Sequence, residues 1–464
     1  MQIPFISIRG GIVFPCLVAA GFLLDVPAAG MAGDWRAGAA KVKITPTRPM
    51  WMSGYAARDH AAEATSIDLW AKALVLEDPR GGRAALVTLD LVGIDRDLSQ
   101  RVCSALGEKY ELERRQVAIC SSHTHSGPVV GRALMTMYTL DETQRQIVAD
   151  YTTDLETQLV KLVGEALKQL APVRIAWGNG HSTIAVNRRT NVEADVPGLR
   201  AQGLLKGPVD YDVPVLSVRK LDGELAAIVF GYACHATVLP FYDWSGDYPG
   251  FAQLELERLH PSAVALFFAG CGGDQNPLPR KSVDLAREYG RSLAGSVDAV
   301  LGSVMNAIEG DLDARYSEIP VALDRLPGRE DLVKDSQSTS KYVALRANAL
   351  LKQIDEGRPL SQTYPYPVQI WRLGPALSWV TLGGEVVVDY SLRLKKELGA
   401  ERTWVAAYTN DVMAYIPSLR VLNEGGYEGG GAMVYYGLPT VWGPEVEETI
   451  VKGVHELARG GIGN

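Results

Sequence analysis

Short apolar runs alternate with longer amphipathic ones along most of this chain, and that alternation limits the fold more than any other feature. Ala84–Leu89 is an apolar run of strand length ending at Asp90, Leu98–Tyr110 has helical character, and Gln116–Cys120 reads as strand again. Thr143–Leu170 follows as a long amphipathic helix, with Ile147, Leu155, Leu159, Leu162 and Leu167 among its apolar positions. Leu225–Tyr232, Ala263–Phe268, Ala376–Leu382 and Trp404–Tyr408 are further buried-strand candidates, and Val386–Leu398, after Glu385, has a helical pattern. Strands and helices interleaved in this way predict an α/β architecture. No repeat and no Pro- or Ser-rich linker interrupts it, so residues 31–464 read as one catalytic-type domain. The charged helical stretch Arg329–Gly357 is expected to be an excursion packed over the core.

The 464 residues suffice for a large core, and a net charge of −8 without any Lys/Arg-rich block excludes a nucleic-acid binder. Residues 1–30 read as an export signal rather than a buried strand: Arg9 is the lone positive charge, Ile12–Leu24 form an apolar core, and Val26–Gly30 offer small residues for cleavage. That core is too short to span a bilayer comfortably, so a soluble secreted or periplasmic protein is expected. Cleavage would remove Cys16 and leave Cys103, Cys120, Cys234 and Cys271. One or two bridges suit an oxidising compartment, but the spacings name no partners, and the absence of CxxC argues against a structural zinc knuckle.

Reactive groups gather where the strand candidates end. Gln116–Cys120 leads into Ser121-Ser122-His123-Thr124-His125-Ser126-Gly127-Pro128, where Ser, Gly and Pro end regular structure and leave two imidazoles on a loop. Leu225–Tyr232 runs into Cys234-His235, Ala263–Phe268 into Gly270-Cys271-Gly272-Gly273-Asp274-Gln275-Asn276-Pro277, Ala376–Leu382 into Gly383-Gly384-Glu385, and Trp404–Tyr408 into Thr409-Asn410-Asp411. Ligands of open α/β sheets bind beyond the carboxyl ends of the strands, so strands running in one direction would bring these groups to one rim. His, His and Glu are the ligand set expected of a catalytic zinc with one position open to water. At this level His235 also reads as a core histidine, and Glu385 as an acidic residue favoured by a helix N-terminus. His60, His260 and His455 read as surface or loop residues, and His181 lacks a comparable context.

Glycines 270, 272 and 273 would let backbone amides approach a ligand, but no Gly-Lys-Ser/Thr follows and a phosphate loop is disfavoured. Glu424–Gly431, rich in glycine, reads either as a flexible loop or as a mobile wall of a substrate pocket.

These residues resemble the neutral ceramidase family of zinc-dependent, non-lysosomal amidases. His123-Thr124-His125-Ser126-Gly127-Pro128 matches its most distinctive motif, and Ala40–Pro46, Ser53-Gly54-Tyr55 and Asp68–Ala73 are similar to its beginning. Asn187-Arg188, Cys234–Leu239, Gly273-Asp274, Gly384-Glu385 and Tyr427-Glu428-Gly429 follow in the family's order. The resemblance implies a mixed central sheet flanked by helices, with a metal site at the strand carboxyl ends. It implies zinc held by His123, His235, Glu385 and Tyr415, the last closing Asn410–Tyr415; on its residues alone Tyr415 reads as a pocket-lining aromatic. It further implies His125 either as a group that supports the metal ligands or as a proton donor near the substrate carbonyl, and Arg188 as a group that stabilises negative charge or anchors substrate. Asp274, Asn276 and Tyr427 complete the implied site, Asp274 and Tyr427 as substrate-binding residues.

Two departures shape the expected activity. The family usually has Gly-Asp-Val-Ser-Pro-Asn where this chain has Gly273-Asp274-Gln275-Asn276-Pro277-Leu278. Asn276 is no activated nucleophile, so a serine route is not expected, whereas a metal–water route survives. The chain also stops soon after Gly437-Leu438-Pro439, leaving no room for the family's C-terminal immunoglobulin-like domain. The expectation is a zinc amidohydrolase acting on an N-acyl amide, ceramide-like or otherwise, or on an ester, with peripheral membrane contact compatible and no obligate protein partner evident. The competing expectation is a non-catalytic protein that keeps the fold and captures a lipid or glycan.

Overall fold

A computed structural model describes residues 34–460. The expected export segment and Cys16 lie outside the described residues.

The period-two pattern of the strands sorts their side chains onto two faces. Ala71, Ala73 and Val75 of Trp70–Glu77, with Ala85, Val87 and Leu89 of Arg83–Leu89, pack against Val102 and Leu106 of the helix Arg96–Tyr110 and Leu155 and Leu159 of the helix Glu142–Lys168. Their neighbours Leu74, Leu76, Ala84 and Leu86 point the other way, into a separate cluster with Trp371, Trp379 and Trp404 of a second sheet. The far face of that second sheet, through Val368, Ile370, Val380 and Leu382, joins Leu394 and Val454 of the helices Val388–Leu398 and Val446–Arg459. Two sheets thus pack face to face with helices outside both.

The first sheet runs in the order Val264–Ala269, Leu225–Tyr232, Asp212–Lys220, Ala171–His181, Arg36–Lys43, Trp70–Glu77, Arg83–Leu89, Val117–Ser121. It is mixed: the pair at each edge is parallel and the pairs between are antiparallel. The second sheet is Leu312–Ala322, Thr363–Leu373, Leu377–Leu382 and Thr403–Ala406, the last pair parallel. The expected α/β class with a mixed central sheet flanked by helices is therefore present, with the later strand candidates in a sheet of their own. Residues 329–357 form the helices Arg329–Asp335 and Lys341–Asp355, with a small core of Leu332, Ala347 and Leu350.

Each parallel pair points its carboxyl ends toward the same region. Isolated bridges Cys120↔Thr409 and Gly270↔Ala406 stitch strand ends of the two sheets together, and Thr124↔Ala236 joins the ends of two strands of the first sheet. All four described cysteines are buried and unpaired. Among the described residues no helix is long and apolar enough to cross a membrane.

Candidate metal centre

His123 stands two residues beyond the end of the strand Val117–Ser121, in a left-handed conformation (φ 60°) that a non-glycine residue adopts at a cost. Its Nδ1 lies 2.6 Å from the carbonyl of Val92, and its ring lies 4.3 Å from that of Tyr408, tilted by 33°. His235 follows the strand Leu225–Tyr232, with Nδ1 2.7 Å from the carbonyl of Gly272. A Cβ on Gly272 would stand 2.7 Å from the Cys234 nitrogen, so only glycine lets this carbonyl come so close. Both carbonyls can only accept, which places the proton of each imidazole on Nδ1 and leaves a lone pair on Nε2.

Both Nε2 atoms lie 3.0 Å from one carboxylate oxygen, Oε2 of Glu385. Glu385 does not begin a helix: Glu385–Val386 is a short strand paired with Tyr415–Ile416, and the helix starts only at Val388. The helix-terminus reading of Glu385 is thereby set aside. The Tyr415 hydroxyl stands 3.1 Å from Nε2 of His235, and the Tyr436 hydroxyl donates to Oε1 of Glu385.

Two imidazole lone pairs aimed at one carboxylate oxygen bring three acceptors face to face. A cation suits such a cluster, and Nε2, Nε2 and Oε2 are the ligand types zinc takes. The electrostatics agree. Burial, reinforced by Arg188, pushes His235 down to about 4, so its imidazole is neutral and able to ligate.

His125 stands on the other side of His123, Nε2 to Nε2 at 3.1 Å, and the ligating atoms of His123, His125 and His235 all fall within 4.8 Å of one another. His125 is therefore an alternative third ligand by distance. Glu385 has the stronger geometry, because it faces both other imidazoles and carries the charge that a divalent ion requires. Burial, together with His123 and His235, keeps His125 well below its ordinary pKa, and its buried Nδ1 has no partner among the described residues.

Arg188 bridges the centre to the cavity outside it. Its Nη2 donates to the Tyr415 hydroxyl at 3.1 Å, its Nη1 to Oδ1 of Asn276 at 3.2 Å, and its Nε to Glu428 at 2.7 Å. Glu428 also accepts from Arg189 at 2.6 Å. The cavity, of about 840 Å³, is lined by His125, Arg188, Asn276, Tyr415, Tyr427 and Glu428 among others. Tyr427 is 44% exposed at its mouth.

Asp274 lies elsewhere, fully buried and outside the cavity lining. Its carboxylate accepts from Asn187 Nδ2, Gln275 Nε2 and the Val388 amide, which makes it a support for the loop that carries Asn276. The glycine-rich segment is a short helix, Leu419–Glu424, followed by a turn over Tyr427–Gly431, and it walls the cavity while tied down through Glu428. Sequence reasoning passed over Tyr436, which sits in a Tyr-Tyr pair that no spacing rule marks, and the ion-pairing role of Glu428. His60, His260 and His455 pair instead with carboxylates away from the centre.

Known proteins share this fold. Residues 35–278 match the family model for the neutral/alkaline non-lysosomal ceramidase, N-terminal region. The neutral ceramidase of Pseudomonas aeruginosa is 25% identical over 367 residues, which is 72% of this chain and 52% of that protein. The chain thus spans about half the length of the curated relative it matches. The crystal structure of neutral ceramidase from Pseudomonas aeruginosa superposes with a TM-score of 0.70 at 21% identity, covering 92% of this chain and 74% of that one. A ceramidase complexed with C2 gives the same TM-score of 0.70 at 20% identity, over 92% and 76%. With more than half of its length matched by the family model, the chain belongs to the neutral/alkaline non-lysosomal ceramidase family.

Proposed function

We propose that this chain is a zinc-dependent amidohydrolase that cleaves an N-acyl amide of ceramide type, with the metal held by His123, His235, Glu385 and Tyr415. The observation that carries the reading is the pair of fixed Nε2 lone pairs converging on the Glu385 carboxylate within one buried site. Zinc bound there would supply Lewis acidity, activating a water at neutral pH and polarising a carbonyl. The name of the Pseudomonas relative and the C2 complex support an amide of this class as substrate.

The chain's own residues perform the rest. His125, neutral and on the cavity wall, takes the proton of the attacking water and returns it to the departing nitrogen. The C–N bond breaks, the hydroxyl ends on the acyl carbon, and acid and amine leave. Arg188 keeps a permanent positive charge beside Tyr415, where it favours the negative charge that develops on the carbonyl oxygen. Asn276 offers no nucleophile, so water is the attacking group.

A second reading, a lipid- or glycan-capturing protein without turnover, rests on Asn276 at the family's serine position. Metal analysis and a hydrolysis panel of ceramide, other N-acyl amides and esters separate the two. About one zinc per chain together with chelator-sensitive release of acid supports the enzyme; metal-free protein with no such release overturns it. We further propose that residues 1–30 direct export, which the N-terminal mass of protein recovered from the periplasm or medium tests: an uncleaved Met1 there would overturn it.

A further inference from the structure

We propose that Asn276 selects the substrate, favouring amides that carry a carboxylate beside the scissile bond over those that carry a hydroxyl, as ceramide does; this rests on the amidase reading and moves the preferred substrate away from ceramide itself.

Asn276 lies in Gln275–Pro277, paired antiparallel with Ala185–Asn187, so that Arg188 emerges next to it. The guanidinium is itself clamped, by Glu428 through Nε and by the Tyr415 hydroxyl through Nη2. Its Nη1 then reaches the Asn276 side chain at 3.2 Å. Arginine only donates, so the amide must turn its carbonyl oxygen toward Arg188. One face of Asn276 is thereby used up. Its Nδ2 donates to no protein group among the described residues and is not a buried orphan, while the residue as a whole, 6% exposed, lines the cavity. The two N–H groups are left to meet whatever enters.

Other charged groups around this cavity are committed to one another. Arg280 pairs with Glu193 at 2.9 Å, and Arg189 with Glu424 at 3.0 Å and Glu428 at 2.6 Å. Asn276 Nδ2 and the remaining N–H groups of Arg188 therefore stand side by side as open donors on the wall that Arg188 links to Tyr415. A serine here would donate or accept, and so would suit a hydroxyl partner in either sense. Asn276, with its oxygen held by Arg188, can only donate. A carboxylate answers two or more donors with charge-assisted bonds, whereas a hydroxyl answers one and leaves its own proton without an acceptor. N-acyl amino acids satisfy this wall better than N-acyl amino alcohols do.

N-octanoylglycine and N-octanoylethanolamine differ only in that group, and they serve as probes with the zinc-loaded full chain. The wild type is expected to favour the glycine conjugate by about tenfold in kcat/KM, and Asn276→Ser to bring the ratio near unity. Asn276→Asp, which adds a negative charge at the same size, is expected to invert it. Calorimetric binding of the same two compounds reads the preference without turnover. If neither amide is cleaved yet the glycine conjugate binds more tightly and Asn276→Ser abolishes the difference, the selection stands and the amidase reading falls. Equal affinity for the two compounds in the wild type, or a preference unchanged in Asn276→Ser, overturns the proposal.

Discussion

His123 and His235 aim their Nε2 atoms at the same oxygen of Glu385, each from 3.0 Å. Neither ring can rotate away, because Val92 and Gly272 hold the opposite nitrogens. Without a cation this is an arrangement of mutually repelling acceptors, so the fold is expected to gain stability when one binds. At a free zinc concentration ~1,000-fold above Kd the gain is about 4 kcal/mol. Thermal unfolding with zinc and after chelation measures it. His235→Ala and Glu385→Gln should each lose most of the bound zinc; full zinc content in either variant means that the ligands are others.

Gly54 supports the site through His125. Its φ of +96° already favours glycine, and a Cβ there would lie 2.5 Å from Cγ and 2.6 Å from Nδ1 of the His125 ring. Gly54→Ala must therefore strain its backbone and displace the imidazole, at a cost of about 1–3 kcal/mol. The expected result is a fall of kcat by ~100-fold with zinc content unchanged, since His125 touches substrate rather than metal in the proposed mechanism. A variant with kcat within a factor of about two of wild type would remove His125 from the reaction.

The sequence made some of this legible and hid the rest for physical reasons. Leu225–Tyr232 is a strand over the residues expected, because a continuous apolar run between turns leaves little choice. The long helix is Glu142–Lys168 against an expected Thr143–Leu170, its start set by Asp141 accepting from the Gln144 amide. Which strands share a sheet was not legible: Ala263–Phe268 and Ala376–Leu382 both read as short apolar strands, yet they belong to different sheets, and Phe268 and Trp379 meet across the interface at 4.8 Å. Alternation tells which face a side chain takes and not what lies opposite. At the site, His123, His235 and Glu385 are legible as strand-end residues. Tyr415 came from family resemblance alone, and Tyr436 from neither, since a buried aromatic gives no sign of an acceptor waiting for it.

Tyr436 gives Glu385 its outer hydrogen bond, donating to Oε1 while Oε2 faces the imidazoles. Removal of that donor leaves a buried carboxylate oxygen unsatisfied and frees the group to turn. Tyr436→Phe is expected to weaken zinc binding by 10- to 100-fold while the fold persists. Competition with a chromophoric chelator measures the affinity; an unchanged Kd would confine Tyr436 to packing.

Glu428 neutralises two arginines, Arg188 at 2.7 Å and Arg189 at 2.6 Å, all three largely withdrawn from solvent. Glu428→Gln would leave these charges short of a partner at the cavity wall, costing about 3 kcal/mol in stability. It would also release Arg188 from its alignment with Tyr415 and Asn276. Loss of kcat/KM is expected to exceed tenfold, with Glu428→Asp recovering part of it. Denaturant unfolding and steady-state kinetics on the same preparations test both effects, and a variant as stable and as active as wild type refutes the role.

Asp411 makes stability depend on pH. Burial raises its carboxyl to about 7; the Tyr364 hydroxyl, 2.6 Å from Oδ2, and Arg96 act downward, while Asp95 and Glu318 act upward. In the unfolded chain the same group titrates near ~3.9. The native state therefore holds a proton that the unfolded state gives up, and the protonated form contributes its full stability only below that value. As pH rises from about 4 through 7 the contribution is lost, and above that range it levels off. Asp411→Asn keeps an oxygen for Tyr364 and cannot ionise. Its unfolding free energy should lack this decline, so that the variant gains on the wild type as pH rises from about 4 to 8. Parallel denaturation curves across that range measure the difference, and a gap that does not widen with pH would show that Asp411 is ionised in the folded protein.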